Sequence, residues 1–337
     1  MPLKSPICSG DQHEPGVRHK QLVGAAQKFP PIRTAIVHPC DDASLTGAFE
    51  ARDERLIVPV LVGPTAKIRN AADRAQLRLD GIDIVDTPHS HAAADKAVVM
   101  ARGGEVEAIM KGALHTDELM AAVVRPDTGL RTERRISHVF VLDVPHYPKP
   151  LLITDAAINI YPTLDDKRDI VQNAIDLAHA LAITAPKVAI LSAVETVSPK
   201  ITSTVEAAAL CKMADRGQIT GGILDGPLAF DNAVSKEAAA AKNIASAVAG
   251  EADILVTPDL EAGNMLVKQL VYLAGAEAAG VVLGARVPIM LTSRADGTLA
   301  RTASCAVAQL FAHRRPLRPG QPSTGRAEAR YHHNSGL

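Results

Sequence analysis

Three stretches of this sequence gather side chains suited to holding an anion. Ser293, Arg294 and Asp296 stand where VPIMLTSRADG turns from an apolar run into the Ala-rich stretch ending at Phe311. The first turn of a helix offers unpaired backbone N–H groups and the positive end of its dipole, and an arginine adds a planar fork matched to two phosphate oxygens. The plain alternative is that Ser293 or Asp296 only caps the helix while Arg294 reaches solvent. In PDLEAGN, Asp259, Glu261 and Asn264 follow a second apolar run and open a helical one, and Gly263 permits close backbone approach. They could hold a hydroxyl, an amide or a cofactor group, or Asp259 could be an ordinary cap. Arg125, Arg131, Arg134 and Arg135 fall within eleven positions, just ahead of Ser137-His138 and a β-branched run. As a cluster they suit a polyanion, and singly each suits an exposed face.

Other candidates carry less. His89 with His91 and His38 with Cys40 have the look of metal pairs, but neither has a partner motif, so no metal is expected. No G-x-x-x-x-G-K-[ST], no G-x-G-x-x-G after a strand and no G-x-S-x-G is present, which removes the main signatures of nucleotide hydrolysis, dinucleotide binding and α/β hydrolases. Cys8, Cys40, Cys211 and Cys305 lie too far apart for a zinc or redox pair and read as small buried hydrophobes.

The elements that must position these residues follow from periodicity. Short β-branched runs (Thr34–His38, Ile57–Gly63, Ile82–Asp86, Ala108–Lys111, His138–Val144, Lys187–Ser192, Gly222–Asp225, Ile254–Pro258, Val281–Leu283, Val287–Leu291) alternate with Ala-rich helical stretches. That alternation predicts an α/β fold on a parallel sheet, with ligands gathered at the carboxyl ends of the strands. The loops that follow strands include Lys111-Gly-Ala-Leu-His115 and Thr154-Asp-Ala-Ala-Ile-Asn159. Helices are expected over Asp165–Ile183, over Lys200–Asp215 behind a Ser198-Pro199 cap, and over Ser235–Ala249. PHYPKP interrupts the rhythm and marks a domain junction. The predicted organisation is a tail over 1–20, domain I over 21–147, domain II over 148–284, a return to domain I over 285–315, and a tail over 316–337.

Composition excludes several function classes. The 337 residues are 47% hydrophobic and 22% charged, with 36 Lys and Arg against 37 Asp and Glu. A net charge of −1, with no Trp, 5 Phe and 4 Tyr, provides neither the basic excess of duplex readers nor the stacking platforms of single-strand readers, so no nucleic-acid partner is expected. No apolar run approaches the roughly 20 residues of a bilayer span. The N-terminus has no signal-peptide stretch, and a cytoplasmic location is expected.

Taken together, Lys111-Gly112, Ser137-His138, Asp155…Asn159…Pro162, Asp259-Leu-Glu-Ala-Gly-Asn264 and Ser293-Arg-Ala-Asp296 resemble, in order and spacing, the phosphate acetyl/butyryltransferase family. The likeness runs from about Arg33 to His313. It implies a two-domain α/β/α fold like that of the isocitrate and isopropylmalate dehydrogenases, a homodimer formed through domain II, and the reaction acyl-CoA + phosphate ⇌ acyl phosphate + CoA. No cofactor is implied, CoA being a substrate. Under the resemblance, Ser293, Asp296 and His138 are the catalytic candidates. Arg294, Lys111, Arg131, Arg134, Ser137, Asp259, Glu261, Asn264 and Asn159 are the phosphate- and CoA-binding candidates. The acetyltransferase branch places its proposed base seven positions after the serine, where this chain has Ala300, whereas Asp296 matches the butyryltransferase-like branch. Acetyl transfer is the leading expectation and butyryl transfer the alternative. A catalytically silent acyl-CoA-binding regulator is the alternative of another class.

Overall fold

The computed structural model describes Glu14, residues 16–291 and residues 297–314. The first half of the chain forms α1 (Val17–Ala26), β1 (Ile32–Val37), α2 (Asp42–Asp53), β2 (Ile57–Gly63), α3 (Thr65–Arg74), β3 (Asp83–Asp86), α4 (Ser90–Arg102), β4 (Ala108–Lys111), α5 (Thr116–Val123) and β5 (Ser137–Asp143). The second half forms β6 (Leu151–Thr154), α6 (Leu164–Ala180), β7 (Lys187–Leu191), α7 (Thr202–Asp215), β8 (Ile223–Leu228), α8 (Phe230–Val234), α9 (Lys236–Ala241), β9 (Ile254–Val256), α10 (Leu260–Ala274), β10 (Glu277–Leu283), β11 (Ile289–Met290) and α11 (Thr298–Arg314).

Among the described residues the strands form one 11-stranded sheet, ordered β3-β2-β1-β4-β11-β10-β5-β6-β9-β7-β8. Nearly continuous burial along β1, β2 and β9 is what a sheet covered on both faces requires. Most pairings are parallel as expected, but β5 runs antiparallel to β6 and β10, and β10 antiparallel to β11. The cause is connection length: a parallel crossover needs about a dozen residues or more, and PHYPKP is long enough only for a hairpin return. Leu151–Thr154, unassigned in the sequence, is the returning strand. The reversal points the carboxyl ends of β1, β4 and β11 one way and those of β6, β7 and β9 the other.

The core explains the layering. One face carries a continuous buried cluster beneath α1, α2, α3, α6, α7 and α11. The other face is split in two, one part beneath α4 and α5 and one beneath α8 and α10. β5 and β10 lie where the two parts meet.

Several local expectations shift for identifiable reasons. α1 starts inside the expected N-terminal tail, because His19 is buried with its ring on the Val141 carbonyl (3.1 Å) and Arg18 pairs with Asp143 (3.1 Å). α7 starts at Thr202 rather than Lys200, since the Thr204 hydroxyl accepts from the Ser198 N–H (2.8 Å) and holds that segment as a loop. The helix opened by Ser235 stops at Ala241, followed by Asn243 in the left-handed region at φ 55°. α6 carries a full capping box between Thr163 and Asp166, which fixes its start next to the Asn159 loop. Cys305 is buried, whereas Cys40 and Cys211 are only partly so, and Cys8 lies outside the described residues. The expected tail over 316–337 also lies outside them.

Candidate functional site

Opposed strand directions still bring the loop after β4, the loop after β6 and the exit of β11 to one apolar cluster. Leu114, in the loop after β4, belongs to the core beneath α4 and α5, and Ile158, in the loop after β6, packs against the same core. Leu291, at the exit of β11, packs there too. Ser293, Arg294 and Asp296 fall within the next five positions after Leu291 and lie outside the described residues. At the start of α11 the Thr298 hydroxyl donates to the Glu50 carboxylate (2.9 Å).

The loops after β6 and β9 are welded into one unit. Asp155 is 3% exposed, and its carboxylate accepts from the backbone N–H groups of Ala157 (3.0 Å), Ile158 (3.1 Å) and Asn159 (3.1 Å), and from the Asn159 side-chain amide. Burial pushes the Asp155 carboxyl pKa up, while these donors favour the anion and pull it back. α10 then arrives on top. Asp259 caps it by accepting from the Ala262 N–H (2.8 Å), and the Asn264 amide donates to the Ala156 carbonyl (3.2 Å). Gly263 makes the approach possible: a Cβ there would lie 2.8 Å from the Asp155 carbonyl oxygen and 2.7 Å from Thr257 Oγ1. The backbone role expected of Gly263 is thus a helix-to-loop contact, and Thr257 closes it by donating to the Asp155 carbonyl (3.1 Å).

The remaining candidates divide sharply. Asn159 sits in this unit, its amide donating to the Ile136 carbonyl (2.9 Å) and its Oδ1 accepting from Arg135 Nε (2.7 Å). Lys111 ends β4, with Nζ donating to the carbonyls of Gly112 and Leu114 (3.3 Å each). Glu261 is exposed in the first turn of α10, and Arg131 is exposed with its backbone bridging Ala285.

Three further candidates are engaged within the protein. Arg134 pairs with Asp176 of α6 (2.5 Å), on the side of the sheet that carries the continuous core. Ser137 is fully buried, and its hydroxyl accepts from the Asn173 amide of α6 (2.9 Å). His138 is 4% exposed, packs on Phe140 at 4.2 Å between ring centroids, and has its pKa pushed down to about 4 by burial. A base of that strength, cut off from solvent, is poorly matched to taking a thiol proton near neutral pH. Ala300 is 8% exposed on α11 and supplies no carboxylate. The loop histidines have local duties: His91 pairs with Glu118 (2.7 Å), His89 accepts from the Ala92 N–H to cap α4, and His38 bonds the Ala113 carbonyl (3.0 Å).

Asp155 and Arg135 are the residues that sequence reasoning underweighted. The available signal was an Asp followed by consecutive N–H groups and an Asn four positions on, the pattern of a carboxylate organising its own turn.

Residues 90–308 match a family model described as phosphate acetyl/butaryl transferase. A Rhizobium meliloti protein named phosphate acetyltransferase is 63% identical over 298 residues, 88% of this chain and 94% of its own. A Clostridium beijerinckii phosphate butyryltransferase is 38% identical over 294 residues, 87% of this chain and 97% of its own. The solved structure of a branched-chain phosphotransacylase from Enterococcus faecalis superposes with a TM-score of 0.74 at 29% identity, covering 84% of this chain and 100% of that one. The chain carrying these welded loops belongs to the phosphate acetyl/butyryl transferase family.

Proposed function

We infer that this protein is a phosphate acetyltransferase, exchanging a short acyl group between CoA and inorganic phosphate. The observation that carries the reading is the joining of the Asp155–Asn159 and Asp259–Asn264 signature segments into one buried unit beside Arg135, in a chain 63% identical to a phosphate acetyltransferase. In the forward direction a phosphate oxygen attacks the thioester carbonyl carbon, the C–S bond breaks, and the CoA thiolate leaves and takes up a proton. A dianion must therefore be fixed against the thioester, and the oxyanion that forms needs donors close by. Arg294 is assigned to phosphate and Ser293 to the carbonyl or departing thiolate. Asp296 is assigned to the thiol proton in the reverse direction, the buried Ala300 offering no substitute.

No metal or nucleotide cofactor is required by this chemistry. The deciding experiment is thiol release from acetyl-, propionyl- and butyryl-CoA, with and without phosphate, repeated with a chelator. Phosphate-dependent release that is fastest with acetyl-CoA is expected. Cleavage that ignores phosphate would make the protein a hydrolase, and absence of turnover would make it a silent acyl-CoA binder. The butyryl reading is favoured by one feature, Asp296 three positions after Ser293, and the butyryl-CoA arm decides it.

A homodimer fits the exposed apolar side chains of α10, where Met265, Tyr272 (79% exposed) and Leu273 (85% exposed) share a face at helical spacing. Sedimentation of the wild type against Tyr272→Lys tests it. The split core on one face supports the two-domain division. Among the described residues no helix is long and apolar enough to cross a membrane. The free thiols of Cys40, Cys211 and Cys305 fit a reducing compartment such as the cytoplasm.

A further inference from the structure

The buried network around Asp155 ends on a guanidinium whose anion-binding edge is unused. Both Asn159 amide hydrogens have acceptors, the Ile136 carbonyl and the Asp155 carboxylate. The Asn159 oxygen must therefore face the remaining donor, Arg135 Nε, at 2.7 Å. The Arg135 backbone is pinned independently by α6: its N–H donates to Asp169 (2.9 Å) and its carbonyl accepts from Asn173 (2.9 Å). The side chain is thus held at both ends.

Its two terminal nitrogens make no hydrogen bond among the described residues, and the side chain is 51% exposed. The neighbouring arginines differ. Arg134 is closed by Asp176 (2.5 Å) and Arg125 by Asp95 (2.8 Å). The acidic neighbour of Arg135, Asp166, turns Oδ1 toward Nε at 3.5 Å rather than toward the terminal pair, while its Oδ2 accepts from Thr163 in the capping box. Freezing an arginine costs rotamer entropy. Here that ordering ends on Nε, with the Asn159 amide oxygen at 2.7 Å and the Asp166 carboxylate at 3.5 Å, which leaves the two-nitrogen edge available.

We propose that Arg135 binds a phosphate group of the substrates through Nη1 and Nη2, and that Asn159, set in place by Asp155, is its positioning residue. This rests on the acyltransferase reading. The phosphate belongs either to inorganic phosphate and acyl phosphate or to CoA, and the kinetics separate them.

Arg135→Gln is the first variant, since a half-exposed side chain can be replaced without unfolding the protein. It should raise the KM for one of the two substrates, phosphate or CoA, about tenfold or more while kcat changes less than about threefold. The substrate affected identifies the source of the phosphate. Arg135→Lys keeps the charge but loses the Nε bond, and it should recover less than about a third of the loss. Asn159→Ala should raise the same KM in the wild-type background and add nothing to Arg135→Gln.

Both KM values within about twofold of wild type in a folded Arg135→Gln would overturn the binding role. Full recovery by lysine, or an Asn159→Ala effect that simply adds, would overturn the positioning role. If the wild type itself shows no phosphate-dependent turnover, the functional reading fails. Calorimetric titration of wild type and Arg135→Gln with inorganic phosphate and with CoA still decides Arg135: weaker binding of either ligand upholds it, and equal binding of both overturns it.

Discussion

Ser137 and His138 are adjacent in the chain and project from opposite faces of the sheet. The Ser137 hydroxyl meets Asn173 of α6 on the continuous core, whereas the His138 ring lies against Phe140 and Gly280 on the divided face. Alternation along β5 forces this, because successive side chains of a strand point to opposite sides. A motif that reads as a pair is therefore two separate devices, one locking α6 to the sheet and one filling the seam between the two halves of the divided core.

Ser137→Ala should accordingly act on stability and not on substrate use. It removes one acceptor from Asn173, which keeps its second, the Arg135 carbonyl. A loss of about 1–2 kcal/mol by denaturant titration is expected, with both KM values unchanged. A raised phosphate KM at unchanged stability would restore Ser137 to the substrate site.

His138 should make the fold acid-sensitive. Burial lowers its pKa from the ordinary 6.5 to about 4, so between those values the unfolded chain binds a proton that the folded chain refuses. Stability from this group is therefore complete above about pH 6.5 and declines as pH falls toward 4, by roughly 3 kcal/mol in all. The Tm of His138→Leu should fall less steeply than that of wild type across this window, whatever its absolute value. Parallel Tm curves would contradict the buried neutral imidazole. The same variant should retain the wild-type pH profile of kcat, as befits a side chain that takes no proton from CoA.

How much of this could be read from the residues depends on the range of the interactions. The β-branched runs gave Ile57–Gly63 and Ala108–Lys111 their strand bounds, because continuous burial on both faces leaves a local signature. PDLEAGN likewise declared a cap and a close glycine contact. The antiparallel centre escaped, since the direction of β6 is set by the short PHYPKP connection and by pairing with β9, about a hundred residues away. The arginine cluster was legible only as a cluster. Which member is neutralised depends on Asp176 and Asp95, and which is left with an open edge depends on Asn159. None of those partners can be inferred from spacing.

Asp296→Asn separates a proton acceptor from a helix cap. An amide caps well, so Tm should hold. Losing a general base costs roughly 10²–10⁴-fold in rate, and the loss should shrink as pH approaches the thiol pKa of about 8.5, where CoA ionises unaided. Near-normal formation of acetyl-CoA from acetyl phosphate by this variant would leave Asp296 as a cap alone.

Asp259 gives the reverse pattern. Its carboxylate is committed to the Ala262 N–H, so Asp259→Asn should match wild type in rate and stability, while Asp259→Ala should lose about 1 kcal/mol. A CoA or phosphate KM that rises several-fold in Asp259→Asn would mean that the charge also serves the substrate.

Gly263→Ala is the sharpest test of the welded loops. In an ordinary helix the exchange stabilises by about 1 kcal/mol, since alanine is the better helix former. Here the added methyl would stand 2.8 Å from the Asp155 carbonyl oxygen and 2.9 Å from Ala156 Cβ, against a loop whose position is fixed by four donors to the Asp155 carboxylate. Backbone cannot rotate aside as a flexible side chain can, so α10 must lift from the loop. Lifting stretches the bond from Asn264 to the Ala156 carbonyl and that from Thr257 to the Asp155 carbonyl. The expected result is a lower Tm together with a drop in kcat, since a misplacement of an ångström at a reacting centre can cost on the order of a hundredfold. An alanine variant with a raised Tm and full kcat would show that α10 can move without cost to catalysis, and that the joining of the two signature segments is incidental to function.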